Sequence, residues 1–406
     1  MMNLAHTILW HVYPLGACGA PIRPTDRAGD WEGHRLGLLE NWLDYVVDLG
    51  CNGLLLGPVF ASTSHGYDTL DYYRIDPRLG DRDDWDSFVH QARSRGLSIM
   101  LDGVFNHVSA DHALVADALA GSTGMIRMVD GAHASWEGHG ELAELDHADP
   151  RVLDLVVDVM THWLDLGADG WRLDVAYKVP TWFWAQALAR VRRTHPGAIF
   201  LGEVIHGDFA QIAKDSALDM VTAYEVWKAI WSSINDRNAW ELAWALERHG
   251  VFSSGTWMQT FVGNHDVTRI ASRIGDDGAG LAAIILFTLP GIPSVYYGDE
   301  QAFRGIKTET WGGDDEIRPA LPASPEHLQP EGEWLHSLYR EAIAMRRANP
   351  WLASARLDVL DKTNTTLSYA AREEAGSHEL IARLDITDRY TATITIDGER
   401  ILEWEA

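Results

Sequence analysis

Gly170-Trp171-Arg172-Leu173-Asp174-Val175-Ala176-Tyr177-Lys178 opens as a strand and runs out into polar residues. Trp171, Leu173 and Val175 alternate with Arg172 and Asp174, the period of a pleated strand, so the Arg and Asp side chains leave from one face. A guanidinium two residues from a carboxylate keeps that carboxylate ionised and oriented, which is what a nucleophile needs. A purely structural ion pair at a strand end has the same appearance, so the stretch has to be read with its neighbours.

Outward from it, short apolar runs alternate with amphipathic stretches from residue 5 to about 350. Strands are predicted at Thr7–Tyr13, Gly53–Leu56, Ser98–Asp102, Gly170–Asp174, Ile199–Glu203, Asp219–Thr222, Met258–Gly263 and Pro293–Tyr296. Helices are predicted at Leu36–Asp48, Trp85–Ser94, Arg151–Leu166, Thr181–Arg192, Val226–Arg248, Gly278–Leu289 and Gly332–Ala348. Eight strand-plus-helix units give an α/β fold, a (β/α)8 or TIM barrel. A doubly wound open sheet usually needs fewer units and a Gly-rich phosphate turn, which is not found. Residues 108–148 exceed an ordinary barrel loop and read as a small domain inserted after the third strand. After Asn349-Pro350 the period changes to alternation, with Asp397-Gly398 as a hairpin turn. The expected division is a barrel at 1–107 and 149–350, the insertion at 108–148 and a C-terminal antiparallel β domain at 351–406.

Composition limits the function classes. The formal charge of −26, from 59 acidic against 33 basic residues, opposes nucleic acid and anionic membrane as partners. Two cysteines, Cys18 and Cys51, are too few for a disulfide scaffold and lack metal-ligand spacing, so reduced thiols are expected. The longest apolar run, Leu281 to Tyr297, is interrupted by Pro290, Gly291 and Pro293 and reads as a buried helix and strand, not a membrane span. Thr7 to Tyr13 has no charged segment before it and reads as a strand, so a cytoplasmic location is the simplest expectation. The 18 Trp are unusual. Trp31, Trp136 and Trp311 fall in loops or strand ends, and Trp182, Trp184, Trp240 and Trp244 in helical patterns. Most are core residues on this reading, but indole faces stack on sugar rings, which points to a carbohydrate ligand.

In a barrel the C-terminal ends of strands converge on one mouth. Those ends carry Asp102, with Asn106 and His107 just beyond, then Arg172 and Asp174, Glu203, and His265-Asp266. Carboxylates in one cleft split in pKa, one staying ionised beside Arg while another holds a proton. That division suits glycoside cleavage, in which one carboxylate attacks and the other protonates the leaving oxygen.

These residues fall in Asp102-Gly103-Val104-Phe105-Asn106-His107, Gly170 to Asp174, Leu201-Gly202-Glu203 and Phe261 to Asp266. His65-Gly66-Tyr67-Asp68, Asp71-Tyr72 and Leu289-Pro290-Gly291-Ile292-Pro293 leading to Tyr296-Tyr297-Gly298-Asp299-Glu300 accompany them. In this order the chain resembles the α-amylase superfamily of glycoside hydrolases over nearly its whole length, closest in motif style to the cyclomaltodextrinase and neopullulanase branch. The resemblance implies Asp174 as nucleophile, Glu203 as general acid/base and Asp266 as the carboxylate that grips the sugar hydroxyls. It implies that Arg172 orients Asp174, that His107 and His265 donate hydrogen bonds to the sugar, and that Tyr67 stacks beneath it with help from Asp68. Asp102 looks more structural. The family fold adds a domain B and a β-sandwich domain C, matching 108–148 and 351–406.

Three departures follow. Where relatives carry Lys-His or Asn-Glu after the nucleophile, this chain has Tyr177 and Lys178, which are expected to shape the leaving-group side of the substrate site. With Lys178 at the place of a His tied to a structural calcium ion near Asn106, that ion is disfavoured, and no cofactor is expected to be required. The N-terminal domain through which cyclomaltodextrinases often dimerise is not expected, since the first strand begins within ten residues of Met1; a homodimer stays open. The reading is a retaining α-glucoside hydrolase on short linear or cyclic malto-oligosaccharides, with Trp31, His133, Trp136, His139 and Trp311 narrowing the mouth. Alternatives are a transglycosylase or isomerase, an α-glucosidase acting on α-1,6 bonds, and a non-catalytic sugar-binding barrel. An open trough suited to long glucans would contradict the narrowed mouth.

Overall fold

The computed structural model describes residues 2–23, 31–122, 124–310 and 312–406. Eight parallel strands form a closed barrel: β1 Leu9–Val12, β2 Gly53–Leu56, β3 Ser98–Gly103, β4 Gly170–Leu173, β5 Ile199–Gly202, β6 Met220–Thr222, β7 Trp257–Phe261 and β8 Ile292–Tyr296. Each pairs with its neighbour in sequence, and β1 closes on β8 with Leu9 beside Ser294. A Cβ at Gly170 would stand 2.4 Å from the Ile199 carbonyl oxygen, so glycine is what lets β4 approach β5 this closely.

Residues two apart on a strand share a face. Leu9, Leu55, Met100, Leu201, Met220 and Ile292 pack with Met2 into one buried cluster, separate from the large core between strands and helices. Two residues further along their strands stand His11, Asp102 and Glu203. Arg172 of β4 lies in register with Asp102 of β3 and Leu201 of β5. The same inner rows are therefore apolar at one end of the barrel and ionisable at the other.

The helices cover the outside. Pro150–Asp165 is started by Asp149, whose side chain accepts from the Arg151 N–H, and by Pro150 in the first turn. It buries Val152, Val156, Val159, Met160 and Trp163 on one stripe, each worth roughly 1.5–3 kcal/mol when fully covered. A charge at Val156 would break that seam. The stretch expected as one helix at Leu36–Asp48 is two, Gly37–Glu40 and Leu43–Leu49, because Trp42 between them is buried and stacks on Trp10. The stretch Val226–Arg248 also divides, into Tyr224–Asp236 and Ala239–Ser253. The chain turns at Arg237 (φ 50°), and the Ala239 N–H donates to the Asn364 carbonyl. A further helix, Phe209–Ser216, fills the gap between β5 and β6.

Strands β9 Arg356–Lys362, β10 Thr366–Arg372, β11 Glu379–Asp385, β12 Thr391–Ile396 and β13 Glu399–Glu405 form one antiparallel sheet in sequence order. The expected hairpin turn at Asp397-Gly398 is present, with both residues at positive φ. The expected β-sandwich is not: the partner of this single sheet is the helical layer of the barrel. Leu367, Leu384 and Ile386 meet Ile234, Leu242, Leu281 and Ile285, and the Tyr369 hydroxyl hydrogen-bonds Thr288. Those helices supply the apolar face that a second sheet would otherwise provide.

Two excursions rise from the mouth. Phe60–Ser62 pairs with Thr69–Ile75, and the turn between them carries Tyr67. After β3, His107–Ser109, His139–Glu144 and Ser135–Trp136 form a three-stranded antiparallel sheet beside the helix Ala113–Leu119. Cys18 and Cys51 are buried and unpaired. Among the described residues no helix is long and apolar enough to cross a membrane.

Candidate active site

At the mouth a cavity of about 490 Å³ is lined by Tyr67, His107, Trp136, His139, Asp174, Tyr177, Glu203, Tyr224 and Asp266, with Glu137, Glu141 and Lys307 at its edge. Arg172 organises its floor. One guanidinium nitrogen donates to both Asp102 oxygens (2.8 and 2.6 Å) and lies 3.3 Å from Asp174 Oδ1. The other is 2.9 Å from Glu203 Oε1. All four side chains are buried. A lone buried charge is expensive, so one fixed cation among three carboxylates both holds them and limits how many ionise together.

Glu203 sits one residue beyond β5, is ion-paired with Arg172, and accepts from two donors, the Tyr224 hydroxyl at 3.1 Å and the backbone N–H of Val175 at 2.9 Å. Asp174 has the longest contact to Arg172. Burial first, then the charge of Glu203, pushes its carboxyl well above the usual range, against the pull of Arg172. Arg172 is shared among the three carboxylates, and its tightest partner is Asp102.

Val175 is not the strand residue its sequence implies. The strand ends at Leu173, and Val175 stands at φ 40°, a region β-branched residues rarely adopt. That turn aims its N–H at Glu203.

Asp266 lies beyond β7, half-buried, 3.0 Å from His265 Nε2 and 3.1 Å from Arg318 Nη2. Burial opposes its charge, but His265 and Arg318 hold its carboxyl well below the usual range. The Tyr67 ring stacks on that of His265 (5.3 Å, 5° between planes), and its hydroxyl hydrogen-bonds Asp102 and His265. His107 accepts from Asn106 at Nδ1 (3.1 Å) and donates from Nε2 to the Tyr67 carbonyl (3.0 Å). Burial lowers its pKa to about 4, so it is neutral. It stacks on Trp136.

Of the ten residues singled out from the sequence, Tyr67, His107, Asp174, Tyr177, Glu203 and Asp266 line the cavity. Arg172 and His265 sit directly behind them. Lys178 is exposed at the rim, its ammonium 5.3 Å from the Trp136 ring and 5.6 Å from that of Tyr177. Asp68 does not reach the cavity; its carboxylate accepts from Ser64 Oγ (2.6 Å) and the Gly66 N–H (3.2 Å) and braces the turn that presents Tyr67. Trp136 and His139 stand at the mouth, whereas Trp31 packs against Arg78 and His133 is not part of the lining. Trp311 lies outside the described residues. Sequence reading passed over Tyr224, Arg318 and His11. Tyr224 follows β6 and His11 lies in β1, so the strand-end rule applied to all eight strands finds both.

Asn106 directs its amide nitrogen at His107, and Lys178 places its ammonium beside the Trp136 ring. Among the described residues, His34, Asp81 and Asp84 are the one group with ligand atoms close enough to share a metal, and Asp81 and Asp84 already form the capping box of Arg82–Ser94.

The family model "Alpha amylase, catalytic domain" matches residues 21–127 and 135–391. The chain belongs to the α-amylase family of glycoside hydrolases. A family cyclomaltodextrinase of Geobacillus thermopakistaniensis (strain MAS1) is 29% identical over 381 residues, which is 88% of this chain and 61% of that protein. An intracellular maltogenic amylase of Bacillus subtilis (strain 168) is 30% identical over 65% of this chain and 48% of its own length. The chain thus spans about half to three-fifths of these two relatives. Among solved family structures, the cyclic α-maltosyl-(1→6)-maltose hydrolase of Arthrobacter globiformis, in complex with that sugar, matches with a TM-score of 0.81 and 25% identity, covering 95% of this chain and 92% of the other.

Proposed function

We propose that this α-amylase family member is a retaining hydrolase of α-glucosidic bonds in short malto-oligosaccharides, linear or cyclic. The observation that carries the reading is that Asp174 and Glu203 face one cavity while sharing a single guanidinium, Arg172. In this scheme Asp174 attacks the anomeric carbon and Glu203 protonates the leaving oxygen, then takes a proton from water when the glycosyl ester is hydrolysed. Attack requires Asp174 in its ionised form, which burial opposes and Arg172 favours. A sugar cation developing over Asp174 adds to that pull. Asp266, held ionised by Arg318 and His265, grips the sugar hydroxyls, and Tyr67 and Trp136 offer ring faces for stacking.

Short substrates are supported by the excursion after β3, which brings Trp136 and His139 to the mouth, and by relatives whose names denote maltodextrin rings. The Arthrobacter structure, whose ligand is a ring containing α-1,6 links, favours a second reading with the same chemistry on α-1,6 bonds. The deciding experiment compares kcat/KM on maltotriose, maltotetraose, cyclic oligosaccharides, α-1,6-linked oligosaccharides and soluble starch. The proposal expects an oligosaccharide to lead; starch cleaved as well, per bond, would overturn it. No metal step enters the scheme, so chelator treatment should leave the rate within about twofold, and loss of activity restored by calcium would contradict it.

A further inference from the structure

His11 stands two residues beyond Leu9 on the inner row of β1, almost fully buried, and has no part in the acid–base scheme above. Its ring meets that of His265 edge-on, with centroids 5.1 Å apart, and its Nε2 lies 3.2 Å from His265 Nδ1. Two imidazole nitrogens hydrogen-bond only if one carries a proton and the other does not.

The far side of His265 decides which. Its Nε2 is 3.0 Å from Asp266 Oδ2 and touches the Tyr67 hydroxyl, whose own proton goes to Asp102 Oδ2 at 2.9 Å. Both neighbours present lone pairs, so Nε2 of His265 must be the donor. Where His265 carries a single proton its Nδ1 is then bare, and the hydrogen between the rings comes from His11.

We infer that His11 is a positioning residue: its Nε2–H donates to His265 Nδ1 and fixes His265 in the tautomer that presents an Nε2–H to Asp266 and to a bound sugar hydroxyl. The inference rests on the functional reading above for the sugar, and on geometry alone for the tautomer. The surroundings keep His11 a neutral donor. Burial first, helped by the guanidinium groups of Arg172 and Arg269, holds its pKa well below the usual value, with Asp266 pulling the other way. Tyr296 of β8 packs on its ring at 5.3 Å, and Leu55 of β2 lies beside it in register.

The test is nitrogen-15 spectroscopy of the histidine side chains, with His265 assigned by the signals lost in His265→Asn, combined with kinetics. Wild-type His265 should show a protonated Nε2 and an unprotonated Nδ1. His11→Leu should abolish that preference and lower kcat roughly 10–100-fold with KM within about threefold, by analogy with the partners that orient metal-ligating imidazoles. His11→Gln, whose amide can donate to the same nitrogen, should restore the nitrogen pattern and most of kcat. An Nδ1-protonated His265 in the wild type, or equal kcat in the Leu and Gln variants, would overturn the inference. If His11→Leu does not fold, the wild-type spectrum and the Gln variant still decide. A wild type inactive on every α-glucoside would sink the functional reading and leave the tautomer result standing.

Discussion

The two ends of the barrel's inner row are built from the same strands and differ in everything else. At one end Leu9, Leu55, Met100, Leu201, Met220 and Ile292 fill the interior; one pleat further on, His11, Asp102 and Glu203 take their place and Arg172 joins them. The first layer is held by burial and asks nothing of protonation. The second carries more carboxylates than one guanidinium can neutralise, a state the rest of the fold has to support. The comparison teaches that the apolar layer supplies stability and the ionisable layer uses some of it, a common trade at functional sites.

The largest effect should come from the ionisable layer. Asp174→Ala and Glu203→Gln are each expected to lower kcat on unactivated substrates by on the order of 10⁴-fold or more, with the fold intact by circular dichroism. A loss under tenfold for either would erase the distinction between the layers. Next, Leu55→Ala in the apolar layer should cost roughly 2–5 kcal/mol in denaturant unfolding while kcat stays within about threefold.

A finer contrast lies between two carboxylates of the ionisable layer. Asp174 is raised, so its contribution to stability is full below the ordinary carboxylate value of 3.8 and is lost as pH rises through its folded value. Asp174→Asn should then stabilise the protein at neutral pH by roughly 1–2 kcal/mol, a gain that fades as pH falls toward 3.8. Asp266 is lowered, so its contribution is present above 3.8 and lost as pH falls through its folded value. Asp266→Asn should therefore destabilise at neutral pH. Unfolding curves between pH 4 and 8 check both signs, and equal signs would contradict the electrostatic account. The smallest effect is expected at Val175, where φ is 40°. Relief of strain of about 1–3 kcal/mol in Val175→Gly is offset by lost packing and by glycine's chain entropy. Net stability should move by less than about 1 kcal/mol, with a few-fold fall in kcat as the N–H on Glu203 loosens.

Much of this was legible in the sequence for a physical reason. Strands buried on both faces read as short apolar runs, and polar residues at their ends announce the mouth, so β1 to β8 and Asp174, Glu203 and Asp266 could be placed from pattern. What pattern missed depends on long-range packing. The C-terminal strands alternate just as those of a sandwich would, and nothing local says that helices, not a second sheet, cover Leu367 and Leu384. The break at Arg237 is set by Asn364, far away in sequence. His11 hides in an apolar run, and its partner His265 lies 254 residues on. The sharing of Arg172 among Asp102, Asp174 and Glu203 could not be read from a spacing of two residues.

The central claim, that Asp174 and Glu203 cleave α-glucosides with retention, is tested most directly by proton NMR of the first products. Mixed with maltotriose or a cyclic oligosaccharide, the enzyme should release sugars whose new reducing ends are α-configured before mutarotation, and Asp174→Ala should release none. β-Configured first products would contradict the account.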